Sequence, residues 1–91
     1  MLDEVFRAEW GRVVAALVGF CRDVDVAEDA AQEAFAIAAR RWPVDGTPDN
    51  PRAWLVTTGR NRAVDRLRRD ARGRELLRAT PDALGSVVLA Q

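Results

Sequence analysis

Apolar residues early in the chain recur at steps of three and four: Phe6, Trp10, Val13, Val14, Leu17, Val18 and Cys21. An α-helix gathers such positions onto one stripe, so the pattern predicts an amphipathic helix over roughly residues 3–21. A second helix is expected to open at Asp25, with Glu28 three residues on, a spacing resembling a capping box. Its apolar side runs through Val26, Ala30, Phe35, Ile37 and Ala38 toward Trp42. The stretch WPVDGTPDNP, residues 42–51, then interrupts the pattern. Its prolines and glycine are expected to exclude a continuing helix. Asn50 before Pro51 is a strong start signal, with asparagine as cap and proline in the first turn. A third helix is predicted from about Pro51 to Arg72 or a little beyond, fraying or ending near Gly73. Its apolar residues, Trp54, Leu55, Val56, Ala63, Val64 and Leu67, lie mostly in its first half. Thr80 and Pro81 could open a short last helix carrying Leu84, Val87 and Val88. No stretch alternates as a strand would, and no internal repeat is visible. The fold class read from this is all-α, a three-helix bundle with a short fourth helix at the C-terminus.

The chain has 91 residues, 48% of them hydrophobic and 31% charged, which fits one ordinary globular domain. No apolar run approaches the ~20 residues that span a bilayer, and no segment has the order of a signal peptide. Cytoplasmic residence without a membrane partner is the default expectation. The single Cys21 has no intrachain partner for a disulfide and reads as a small buried hydrophobe.

Formal net charge is zero, but the charges are segregated. Residues 1–33 carry eight acids against three arginines, a net of −5. Residues 52–78 carry nine arginines against three acids, a net of +6. A chain so polarised can meet partners of opposite sign at its two ends. Every basic residue is arginine, for which genome composition is as good an explanation as any need for the guanidinium fork.

Catalytic chemistry is hard to assemble from this inventory. There is no histidine, no glycine-rich phosphate loop and no metal-spaced Cys/His set. Asp25, Glu28, Asp29 and Glu33 could chelate a divalent cation, yet helix carboxylates without a carbonyl-rich loop make a poor calcium site. No metal, no cofactor and no enzymatic activity are expected, which leaves a binding module.

Two constellations remain. Asp29, Gln32 and Glu33, at offsets of zero, three and four, share one helix face. Two acceptor-only groups and one amide suit arginine or lysine on a partner helix; the plain alternative is a solvated polar face. The run RNRAVDRLRRDARGR, residues 60–74, places Arg62, Arg66 and Arg69 on nearly one side of the third helix, with Arg68 and Arg72 beside them. Clustered arginine suits phosphate, giving salt-dependent and sequence-blind affinity. Asn61 can read a base edge, and the Pro/Gly-rich loop could offer backbone groups to a base displaced from its stack. Here too a solvated face, partly neutralised by Asp65 and Asp70, is the alternative. Trp54, and still more Trp10 and Trp42, read as core.

The phrases AEDAAQEAF, RWPVDGTPDNPRAWL and GRNRAVDRLRR, in this order and spacing, resemble region 2 of bacterial sigma factors of the extracytoplasmic-function type. These belong to the sigma-70 class of RNA polymerase initiation subunits. The resemblance covers roughly residues 5–72. The loop phrase is similar to that of a subgroup whose longer members carry an additional C-terminal domain.

The resemblance implies roles. Asp29, Gln32 and Glu33 match positions that dock on the arginine-rich clamp helices of the polymerase largest subunit. The loop Pro43 to Asn50, including Asp49 and Asn50, together with Asn61, matches a pocket for a flipped base of the promoter −10 element's non-template strand. Arg60, Arg62, Arg66 and Arg69 match the basic residues that hold the strand backbone. Trp54 and Leu55 match a pair anchoring the start of that helix. An inhibitory anti-sigma partner is left open.

The chain departs from the family pattern at Thr58 and Gly59, where a larger aliphatic residue and alanine are usual. Glycine within a helix costs about 0.5–1 kcal/mol relative to alanine, so a looser third helix is expected. The division expected is a region 2 helical domain over 1–78 and a linker or short helix over 79–91. No counterpart of the family's −35-reading helix-turn-helix domain is expected, as in an excised domain or truncated product. The rival reading is a helical interaction or dimerisation module that never meets nucleic acid. A duplex reader of helix-turn-helix type needs a tighter turn than this loop allows.

Overall fold

A computed structural model describes residues 2–79, with side chains over 3–76. Three helices follow one another: α1 (Leu2–Cys21), α2 (Val24–Asp45) and α3 (Pro51–Ala79). There is no strand among the described residues, so the chain is all-α. The region after Ala79, where a fourth helix was expected, lies outside the described residues.

Contacts fix the directions. Glu9 meets Arg52 and Leu17 meets Gly59, so α1 and α3 run parallel. Phe35 packs on Phe6 and Trp10, and Trp42 on Trp54, so α2 runs antiparallel to both. The core comprises Val13 and Leu17 from α1, Leu55 and Ala63 from α3, and eight α2 residues including Phe35 and Trp42. Five of those eight are alanines, at 27, 30, 31, 34 and 38. Small side chains let α2 approach both neighbours, so burial of Leu17 and Leu55, about 1.5–3 kcal/mol each, drives the assembly. At one end Phe6, Trp10 and Phe35 form an aromatic cluster with ring centroids 5.0–5.6 Å apart. Trp42 and Trp54 pack edge-on at 5.3 Å, and the buried Trp42 Nε1 has no hydrogen-bond partner among the described residues.

The helix boundaries correct three expectations. Asp23, not Asp25, caps α2: its extended backbone lets Oδ1 accept from Val26 N at 3.1 Å. The cap sits early because α1 and α2 are joined by two residues only. Arg22 takes the left-handed φ of 57° that ends α1, and its N–H closes on Val18 O at 2.7 Å. Helix α2 also runs past Pro43 to Asp45. Proline removes one amide donor, which costs little in a last turn that Gly46 N closes by donating to Trp42 O at 2.8 Å. Burial of Trp42 holds that turn against the core. Gly46 has φ 92°, a conformation glycine adopts without penalty.

Helix α3 starts as expected. Asn50 Oδ1 accepts from Ala53 N at 3.1 Å, and Pro51 occupies the first turn. It does not end near Gly73, however, but continues to Ala79. Among residues 51–76 its last partly buried residue is Leu67, and residues 68–76 are all exposed, so this part of the helix outruns the bundle. The helix runs unbroken through Gly59. The residue is buried, and a Cβ there would lie 2.7 Å from Leu17 Cδ1. Glycine at 59 leaves room for the Leu17 side chain to lie directly against the α3 backbone.

Candidate functional site

On α2, buried Ala30 and Ala34 turn Asp29, Gln32 and Glu33 outward, and all three are exposed. On α3, buried Leu55, Gly59 and Ala63 recur every four residues and set the rotation of that helix. Arg62 and Arg66 are then brought to the edge that meets α2. The two sets share one cleft of about 420 Å³, with Val26, Ala30, Ala36 and Ala63 as apolar lining. Arg66 Nη1 donates to Asp29 Oδ2 across it. A second cleft of about 270 Å³ continues along the same edge, lined by Glu33, Ala36, Ile37, Arg40 and Arg62.

Segregation of charge along the sequence is therefore not segregation in space. Because α2 and α3 are antiparallel, the acidic start of α2 lies against the basic middle of α3. Nor do the arginines form one surface. Arg60 leaves on the opposite flank, its guanidinium 4.3 Å from the centroid of the Phe20 ring on α1, a cation–π contact. Arg69 is exposed in the overhanging part of α3. Asn61 shares a spacing of four, three and four with Asp65, Arg68 and Arg72, all exposed, so these four form an outer stripe. The Asn61 side chain has no hydrogen-bond partner among the described residues.

The loop residues lie elsewhere. Asp49 is exposed, and Asn50 borders a cleft of about 280 Å³ with Glu4, Val5, Ala8, Glu9, Pro51 and Arg52. Asn61 does not line that cleft; it lies eleven positions after Asn50, about 16 Å along the axis. The cap bond also occupies Asn50 Oδ1, leaving its NH₂ to act outward. Arg52 grips Glu9 with two nitrogens, Nη2 to Oε1 at 3.1 Å and Nε to Oε2. This hydrogen bonding holds the Glu9 carboxyl below its usual range, against desolvation and with help from the Arg52 and Arg12 charges. It raises Arg52 correspondingly. No group of three or more metal-ligating side chains occurs among the described residues.

Sequence reasoning missed Ile37 and Arg40, though spacing contained them: positions 29, 33, 36/37 and 40 continue one face of α2. It also missed that Phe20 and Glu9 would engage Arg60 and Arg52. Nothing local to those residues signals contacts about 40 positions apart.

Comparison with known proteins places this geometry. The family model described as sigma-70 region 2 matches residues 5–73. The chain belongs to that family. An uncharacterized protein of Rhizobium meliloti (strain 1021) is 43% identical over 61 residues, which is 67% of this chain and 14% of the relative. The chain thus spans about one seventh of that relative's length. No solved structure matches it significantly. No helix among the described residues is long and apolar enough to cross a membrane.

Proposed function

We propose that this chain is region 2 of an extracytoplasmic-function sigma factor, docking on the clamp helices of the polymerase largest subunit and capturing the non-template strand of the −10 element. The observation that carries the reading is the α2–α3 edge. There the acid-amide face of Asp29, Gln32 and Glu33 stands beside a helix whose outer stripe offers an unpartnered Asn61 among arginines. Docking uses the carboxylates as acceptors for partner guanidinium groups. Strand capture uses arginines for the backbone, with Arg62 and Arg69 unpaired among the described residues and Arg60 and Arg66 engaged internally. Asn61 supplies the base-edge amide. Asp49 and Asn50 meet a different nucleotide from Asn61, given the length of α3 between them.

Unstacking a base costs a few kcal/mol, offset by hydrogen bonds to its edge and by the backbone contacts. Base preference then resides in Asn61 and the loop, and salt dependence in the arginines. The test is a fluorescence titration of labelled single-stranded oligonucleotides at two salt concentrations, with and without polymerase core. Asn61→Ala should weaken binding to a −10-type strand by about 1–3 kcal/mol with little change in salt slope. Arg69→Ala should weaken all sequences alike and flatten the slope. Strand binding untouched by both substitutions would remove the nucleic-acid role from α3. Charge reversal at Glu33 should abolish binding to a clamp-helix peptide with helicity retained.

A further inference from the structure

We infer that Arg66 is an internal competitor for the docking surface: it occupies the Asp29 carboxylate that a partner's cation must take. The inference rests on the docking reading above and adds a residue and a direction to it. Four charged side chains line the cleft between α2 and α3: Asp29, Glu33, Arg62 and Arg66. Their formal charges cancel. The face that should attract a basic helix is therefore neutral in the free protein, and its neutrality comes from α3.

The paired state specifies what replaces it. Arg66 Nη1 already donates to Asp29 Oδ2, so the carboxylate is shown in contact with a guanidinium. A partner arginine fits the same acceptor chemistry, but two guanidinium groups on one carboxylate would repel at close range. Each guanidinium on Asp29 weakens its attraction for the next, so binding is strongest when Arg66 yields the carboxylate. The pair can be exchanged because it is open to solvent: the Arg66 side chain is 36% exposed and that of Asp29 58%. Pairs of that kind are weak. The occupant is accordingly an arginine-bearing helical segment, seated over the small side chains Ala30, Ala36 and Ala63, which permit close approach. Arg62 lines the same cleft without an ion pair to either acid, so it serves as a charge-matched control.

The test is binding of the full chain to a helical-hairpin peptide carrying the clamp-helix arginines, followed by fluorescence anisotropy at low and moderate salt. Arg66→Gln should tighten binding about two- to fivefold, the range set by an exposed pair. The gain should shrink at higher salt. Asp29→Asn should weaken binding, and in the Asp29→Asn background Arg66→Gln should bring no further gain. Arg62→Gln reports what removal of a nearby positive charge does by itself, and its effect should persist in that background. Arg66→Gln leaving affinity unchanged or lower, while Asp29→Asn still weakens it, overturns the competitor role and keeps the docking reading. A gain that survives Asp29→Asn also overturns it, because general charge repulsion would then suffice. If neither Asp29→Asn nor Glu33→Gln alters binding, the docking reading itself falls. Circular dichroism of each variant establishes that the helices persist.

Discussion

Alanine at position 59 sets two effects of known size against each other. In a helix interior alanine is favoured over glycine by about 0.8–1.0 kcal/mol. At Gly59, however, the added methyl would sit 2.7 Å from Leu17 Cδ1 and 3.2 Å from Cδ2. Leu17 is among the largest fully buried side chains of the bundle, with no solvent gap to retreat into. Forcing a methyl into a filled core costs typically 1–3 kcal/mol. Gly59→Ala should therefore destabilise the domain by about 0–2 kcal/mol net. Gly11 on α1 supplies the reference, because a Cβ there meets nothing within 4 Å. Gly11→Ala should stabilise by about 0.5–1 kcal/mol. Urea denaturation followed by circular dichroism measures both, and similar m-values would show that the unfolded states are comparable. Shortening the opposing side chain completes the cycle: Leu17→Val should cost less in the Gly59→Ala background than alone. Equal stabilisation by alanine at 11 and 59 would refute the close-approach argument.

Three further outcomes follow from the boundaries and the ion pairs. Asp23→Ala should cost about 1 kcal/mol through loss of the α2 cap, whereas Asp25→Ala should cost only a few tenths, read from urea midpoints. Glu9 has its folded-state pKa depressed by Arg52, so its contribution is present above the unfolded carboxylate range and is lost as pH falls through the folded value. Denaturation midpoints at about pH 6 and about pH 3 should show that loss, and Arg52→Met should reduce the difference. Leu55→Ala, which empties a fully buried site, should cost about 2–5 kcal/mol by the same measurement.

Much of the architecture could be read before the structure. The three-and-four periodicity located α1 and α2, and Asn50–Pro51 located the start of α3, because these signals are local and each has a strong steric or hydrogen-bonding cause. Trp42 and Trp54 read as core and do pack together. What escaped was decided between elements. Two aspartates two residues apart both suit a cap, and only the left-handed turn at Arg22 selects Asp23. Pro43 reads as a terminator, but a single lost donor in a last turn anchored by Trp42 is tolerated. Gly59 reads as a weakness until Leu17 is seen opposite. For the site, each face was legible from spacing alone, while the meeting of Asp29 with Arg66 required the antiparallel pairing of α2 and α3. That pairing makes one shared edge out of two surfaces that appear independent in sequence.

The length of α3 has a mechanical consequence. Residues 68–76, all exposed, extend the helix by about 14 Å beyond Leu67. A helix of this kind transmits angle as well as distance. One residue inserted after Arg68 would swing its far end by about 100° and advance it about 1.5 Å, leaving the bundle untouched. The orientation of the exposed stretch 68–76 relative to the bundle is thus encoded by residue count along α3.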